Sequence, residues 1–376
     1  MKLDRKSVKR LGAAVGLLSL LAMVGVWTAQ ASGADPAYHV MNDGAVEETM
    51  LRSAIDPLFD GDDDDVGETR ALLIMHRGEI VAERYAPGYG PETKLLSWSM
   101  AKSVTAVLVG LMVADGRLAL DSPVPVAAWS QPGDPRGRIT LRQLLSMSSG
   151  LDHVEDDEPI ATADTVRMLF TDGAQDMSAF AEAQPLGHMP GSTFSYSTGS
   201  TLILADLMTR MLTSSADPDE RRRAMQTFID GRLKIPGRLD SLTAEYDAAG
   251  TMIGGSFLHM TARDYGRFGE LLRNHGRGPG GHQIVPEKWV DFMRTPSRRN
   301  PAYGAHLWLN RDSGESALMP GQASASLFGC VGHGGQYILV SPSQELTVVR
   351  IGLSPHKEQR QALKSGLARL IALFPR

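Results

Sequence analysis

Ser99-Met100-Ala101-Lys102 sets a hydroxyl and an amine three residues apart at the head of the apolar run 103–113. Apolar residues at 104, 107, 108, 111 and 112 keep a helical period and Asp115-Gly116 offers a stop, so the pattern predicts Ser99 and Lys102 on the first turn of a buried helix. On one helix face the amine reaches the hydroxyl, and the helix N-terminus supplies unpaired N–H groups and partial positive charge where an oxyanion would form. That chemistry is nucleophilic acyl transfer. The tetrapeptide is weak by itself: a second copy, Ser354-Pro355-His356-Lys357, reads as an N-cap serine and an N1 proline ahead of a terminal helix at 359–373. A capping serine with a snorkelling lysine would explain the first copy too, so context must decide.

The elements around Ser99 supply that context. Lys2, Arg5, Lys6, Lys9 and Arg10 precede an apolar stretch from Leu11 to Trp27, and Ala29-Gln30-Ala31 offers a cleavage site. Residues 1–31 therefore read as a signal peptide or an N-terminal membrane anchor through residues 11–29, and the body is expected to be exported, periplasmic or held at the cell envelope. Residues 32–70 read as an extension with an acidic loop, and 71–376 as one large domain with a helical lobe at about 99–280. In the run Asp60–Glu68, Asp65 stands where a calcium loop needs its turn glycine, and no glutamate closes the loop, so it reads as solvated. His153-Val154-Glu155 is too loose to name a ligand set, and neither a metal nor another cofactor is expected.

The 376 residues carry a net charge of −5, which gives no nucleic-acid surface and points to small-molecule partners. One cysteine, Cys330, leaves no internal disulfide, and in an apolar strand it reads as inert. Residues 71–75 and 80–85 form an expected hairpin about His76-Arg77-Gly78-Glu79. Helical patterns follow at 141–147, 202–212 and from Thr261 to near Gly276, and strand patterns return at 303–309, 336–340 and 346–352. The expected fold is α/β (α+β): an antiparallel sheet built from N- and C-terminal segments and flanked by helices, beside a mainly helical second lobe.

With that layout the chain resembles the serine β-lactamase and penicillin-binding-protein superfamily. Besides Ser99 and Lys102, the resemblance rests on Ile139 to Leu151, similar to the segment after the nucleophile helix, and on Pro190-Gly191-Ser192-Thr193-Phe194-Ser195-Tyr196-Ser197, similar to the tyrosine motif. It covers roughly residues 70 to 375. Thr198 stands where penicillin-recognising members usually carry Asn, and the usual Lys-Thr-Gly or His-Thr-Gly is replaced by Leu327-Phe328-Gly329-Cys330-Val331-Gly332-His333-Gly334-Gly335-Gln336. The tract from Gly332 to Ile338 resembles the branch with 6-aminohexanoate-dimer hydrolases and β-lactamase-like esterases.

The resemblance implies a serine hydrolase in which Ser99 attacks a carbonyl and Lys102 with Tyr196 handles the proton, either being the base. A cation nearby would let Tyr196 relay the proton by lowering its pKa. The backbone N–H groups of Ser99 and Cys330 are expected to hold the oxyanion, and Thr198, His333 and Gly334 to touch substrate, although His333 also reads as a simple glycine-rich turn. Loss of the cationic triplet favours a small ester or linear amide. The alternatives are a D-alanyl-D-alanine carboxypeptidase or β-lactamase, whose substrates are peptide or lactam, and a non-catalytic cell-envelope binding module of the same fold.

Overall fold

The computed structural model describes residues 38–40, 44–60, 65–313 and 317–376. The described residues begin with β1 (Tyr38–Val40), α1 (Glu48–Ile55), the hairpin β2 (Glu68–His76) and β3 (Glu79–Tyr85), and the short β4 (Leu95–Leu96). Helices α2 (Ala101–Ala114), α3 (Leu141–Leu145), α4 (Asp164–Phe170), α5 (Met177–Glu182), α6 (Thr198–Leu212) and α7 (Pro218–Ile229) follow. After β5 (Thr243–Ala244) and β6 (Leu258–Met260) come α8 (Ala262–Arg273) and α9 (Glu287–Met293). The chain closes with β7 (Trp308–Leu309), β8 (Phe328–Gly332), β9 (Gln336–Ser341), β10 (Leu346–Leu353) and α10 (Lys357–Ala372).

The main sheet has the order β1-β3-β2-β10-β9-β8-β7, with antiparallel neighbours throughout. Its centre joins the two ends of the chain, since β10 runs against β2 from Leu346↔His76 to Leu353↔Glu68. The strand period of two sorts side chains onto two faces. Leu73, Met75, Ile338, Val340, Val349 and Ile351 join the larger core with α8 and the helical region. Leu72, Ile74, Tyr337, Leu339 and Val348 meet α10 and α1 through Leu363, Leu367, Leu51 and Ile55. Arg77 and Gly78, at φ 54° and 88°, turn the β2–β3 hairpin in the left-handed region that a two-residue turn demands.

Some sequence expectations shift. The segment read as an export signal lies outside the described residues, as do 61–64 of the acidic run. The region between β4 and β7 is not wholly helical, because β4, β6 and β5 form a small antiparallel sheet. The strand expected at 303–309 shrinks to Trp308–Leu309, since the chain bends back on itself through a Tyr303–Trp308 bridge. Ser354 does not cap the last helix. It is buried, donates to the Val66 carbonyl and accepts from Arg350, while His356 closes a capping box with Gln359.

Candidate active site

Ser99 sits in a 3-10 turn, Trp98–Met100, that runs straight into α2. It therefore precedes the first α-helical turn rather than lying on it. Trp98 holds φ at 46°, a left-handed conformation that costs a bulky residue about 1–3 kcal/mol. The turn is tied to the segment before β6: the Ser97 N–H donates to Leu258 O (2.8 Å), its Oγ donates to Ser256 O (3.1 Å), and Leu258 N–H donates back to that Oγ (3.2 Å).

Lys102 is 1 % exposed, and its Nζ meets three oxygens: Ser99 Oγ at 2.9 Å, Thr198 Oγ1 at 2.8 Å and Gly255 O at 2.9 Å. Gly255 O can only accept. Thr198 Oγ1 donates its proton to Glu155 Oε1 at 2.5 Å, so toward Lys102 it can only accept as well. A neutral amine has two hydrogens and one lone pair. With both hydrogens claimed, the lone pair is left for the Ser99 hydroxyl, the geometry of a general base. Burial pushes Lys102 down to about 8 against the opposing pull of Glu155 and Asp156.

Glu155 is the group that sequence reasoning passed over. Its Oε2 accepts from the Thr198 N–H at 2.6 Å, at the N-terminus of α6, and from Thr165 Oγ1 at 2.9 Å, with His153 Nε2 at 3.3 Å. Burial would raise its carboxyl, yet the His153 hydrogen bond, the Lys102 charge and Thr198 bring it to about 2. The sequence carried Glu155 in the stretch after Ser149-Gly150, but its partner Thr198 lies 43 residues on and no period links them. Thr198 thus spends its hydroxyl inside the site, between Lys102 and Glu155, and is 1 % exposed. The substrate contact expected for Thr198 gives way to this bridge.

Tyr196 stacks on Trp308 (ring centroids 5.8 Å apart, planes at 25°) and stands edge-on to Tyr303 at 6.0 Å. Lys102 Nζ lies 5.0 Å from the centre of its ring, and the phenol is hydrogen-bonded to Ser99. Burial, with the charge of Glu155, pushes the Tyr196 phenol well above its ordinary pKa, opposite to the lowering expected from a nearby cation. The phenol stays protonated. The same loop, through Ser192, Thr193 and Phe194, lines a cavity of about 450 Å³ with Arg298 and Arg299.

β8 borders the nucleophile turn. A Cβ on Gly332 would fall 2.6 Å from the Ser97 carbonyl oxygen, so only glycine permits this approach. Among the described residues β7 pairs with β8 at Phe328 and Gly329, and Asn310 N–H donates to Leu327 O (3.0 Å). In an antiparallel ladder N–H groups alternate between the two edges. Leu327, Gly329 and Val331 therefore face the β7 edge, while Cys330, partner of Ile338, turns to β9. The Cys330 N–H expected at the oxyanion thus points to β9, and it is the Val331 N–H that faces the edge β7 leaves open. The Cys330 side chain is 1 % exposed and burial pushes its thiol up to about 12, far from nucleophilic.

His333, Gly334 and Gly335 form the β8–β9 turn, with Gly334 and Gly335 at φ 70° and 83°. The exposed His333 ring lies 5.4 Å from that of Trp98. Beneath the turn the buried Arg350 guanidinium donates to Gly335 O (2.9 Å) and Gly334 O (3.4 Å), as well as to Glu68 O, Thr69 and Ser354. The turn reading of His333 holds, and its ring packs against Trp98, the residue before Ser99. As for metals, the surface trio His275, Glu287 and Asp291 can bring ligand atoms within 4.8 Å of one another. His153 and Glu155 serve the lysine instead.

Comparison with known proteins agrees with this geometry. The family model described as Beta-lactamase matches residues 63–373. A 6-aminohexanoate-dimer hydrolase of Paenarthrobacter ureafaciens is 24 % identical over 317 residues, covering 80 % of this chain and 76 % of that protein. A family VIII carboxylesterase superposes with a TM-score of 0.64 at 15 % identity, over 91 % of this chain and 99 % of its own. The D-stereospecific amidohydrolase from a Streptomyces species gives 0.60 at 17 % identity, over 85 % and 98 %. The chain belongs to the Beta-lactamase family of serine hydrolases.

Proposed function

We propose that this chain is an exported amidase or esterase that cleaves a small linear amide or ester through an acyl-enzyme on Ser99. The observation that carries the reading is the three-oxygen shell of Lys102, which leaves a neutral amine its lone pair for Ser99 alone. The Ser99 Oγ attacks the carbonyl carbon as its proton passes to Lys102 Nζ. The resulting oxyanion lies between the N–H groups of Ser99 and Val331. Tyr196, kept protonated, gives its phenolic proton to the departing nitrogen or oxygen and is refilled from Lys102. Water then attacks the ester carbonyl as one of its protons passes to Lys102, and Lys102 hands that proton to the Ser99 oxygen as the acyl–oxygen bond breaks and the acid leaves.

Glu155 and Thr198 act as positioning residues: the carboxylate fixes the threonine hydroxyl, which fixes one lysine hydrogen. Absence of a lysine in the tract 327–336 supports ester or linear amide over lactam, and relatives named for amides and esters support the same class. Fluorophosphonate labelling read by intact mass, followed by a panel of p-nitrophenyl esters, a linear amide dimer and a chromogenic cephalosporin, tests it. One adduct on Ser99, lost in Ser99→Ala and slowed in Lys102→Ala, is expected. An unlabelled, inactive wild type would return the non-catalytic binding module to first place, and preferred cephalosporin turnover would return the lactamase reading. The basic and apolar N-terminal segment supports export. N-terminal sequencing reads its fate: a start near Ser32 means secretion, and Met1 or Lys2 means an anchor.

A further inference from the structure

Four rings run in contact through Trp98, the neighbour of Ser99 in the nucleophile turn. Phe170 and Phe257 have centroids 5.7 Å apart, Phe257 and Trp98 5.9 Å, and Trp98 and His333 5.4 Å. Trp98 is the residue immediately before Ser99 and shares its 3-10 turn, which ties the strip to the nucleophile turn. Its far end is open, because Phe170, the last residue of α4, is 45 % exposed. A large apolar ring left in water at the end of a ring strip that reaches the nucleophile turn is the observation that calls for an occupant.

The backbone places these rings at a cost. Trp98 adopts φ 46°, which few bulky residues accept and which is found mostly at functional sites. Phe257 lies between Ser256, whose carbonyl accepts from Ser97 Oγ, and Leu258, which exchanges hydrogen bonds with Ser97, while Gly255 O holds Lys102. The segment that fixes the lysine thus also presses Phe257 against Trp98. Tyr196 belongs to the other ring set, with Trp308, Tyr303 and Phe194, and no ring contact joins the two sets among the described residues.

We propose that the strip Phe170–Phe257–Trp98 is the acyl-group subsite, shaped for an unbranched apolar or aryl-alkyl acyl chain. The assignment rests on the acyl-enzyme reading above: the proton returns to the leaving group from Tyr196, so the leaving group occupies the Tyr196–Trp308 flank and the acyl chain takes the other. An extended chain laid from the Ser99 carbonyl passes over Trp98 and Phe257 and ends on Phe170, which removes the exposed ring faces from water. Trp98 and Phe257 are then specificity-determining residues, and Phe170 sets the length of chain that gains contact.

The test compares kcat/KM for p-nitrophenyl octanoate and p-nitrophenyl acetate, which share a leaving group, so that their ratio reads the acyl side alone. Wild type is expected to favour octanoate, and Phe257→Ala and Trp98→Gly to lower the ratio at least tenfold. Trp98→Gly keeps the left-handed backbone open to the chain, and Phe170→Ala, at an exposed position, removes a ring without opening the core; it is expected to lower the ratio several-fold, through KM. A ratio near one in wild type, or a ratio that falls with Phe194→Ala and not with Phe257→Ala, overturns the assignment. Calorimetric titration of Ser99→Ala with N-butyl octanamide and N-butyl acetamide separates the subsite from the chemistry. Tighter octanamide binding that Phe257→Ala abolishes supports the strip even if Ser99 hydrolyses nothing, and equal binding of the two amides overturns it.

Discussion

At the scale of single residues, the chemistry turns on one buried amine that must be uncharged to work. With Lys102 brought to about 8, kcat/KM is expected to rise with pH along a limb near 8. Glu155→Gln removes a charge that favours protonated Lys102, so the limb should move to lower pH while kcat falls, as Thr198 loses its fixed acceptor. A limb that stays in place in this variant would separate Glu155 from the base. Tyr196→Phe is expected to lower kcat by about 10²–10⁴-fold with a much smaller change in KM, since it removes a proton donor and leaves the ring stack. Both titrating groups make stability rise with pH, each in its own window. Glu155, depressed from 4.5 to about 2, contributes stability that is complete above 4.5 and lost as pH falls toward 2, so the Tm gap between wild type and Glu155→Gln should close on acidification. Lys102, depressed from 10.5 to about 8, binds more protons unfolded than folded between those values, so its contribution rises with pH there.

At the scale of elements, α2 is a helix with almost no exposed face: its residues from Ala101 to Met112 are buried, and it carries the nucleophile turn at one end. Such a helix tolerates little added volume. A Cβ on Gly110 would lie 2.2 Å from the Trp289 indole, which donates its N–H to Ala106 O at 2.9 Å. Gly110→Ala is expected to destabilise the protein by about 1–3 kcal/mol by overpacking. Urea unfolding should show a lower midpoint at unchanged slope, and an unchanged midpoint would mean that α9 can shift without cost. The helical period of α2 and the helix start at Thr261, whose hydroxyl accepts from the Asp264 N–H at the head of α8, are local features and were plain in the sequence. The short β7 was overcalled because its apolar residues are used to fold the segment back on Tyr303, a contact no period announces.

At the scale of the whole molecule, the sheet is closed by its two chain ends. β10 lies between β2 and β9, eight register pairs against the first and five against the second, and α10 covers the face that α1 shares. A chain ending at Ser341 would leave β2 and β9 without their common neighbour and the second core without Leu363, Leu367 and Ile371. It is expected to lack a cooperative unfolding transition by circular dichroism. Retention of a sharp transition would show that the helical region and the β2–β3 hairpin fold without the C-terminal strands. The fixed sheet also sets the active site, because β8 can stand beside the Ser97 carbonyl only when β9 and β10 hold it there.

The sequence by itself determined what local patterns and side-chain chemistry can specify: a serine and a lysine one helical turn apart, Tyr196 in a loop, strands at both ends and helices between. Side-chain type, 3.6 and 2.0 periodicity and glycine-rich turns are properties of neighbouring residues, and they survive without tertiary contacts. Only the tertiary structure decided that Glu155, Thr198 and Gly255 surround the lysine, that the phenol is held protonated rather than made acidic, and that Val331 rather than Cys330 turns its N–H to the open edge. Those outcomes depend on desolvation, on strand register and on partners up to 153 residues apart, and each is set by packing among segments whose separation in sequence carries no signal.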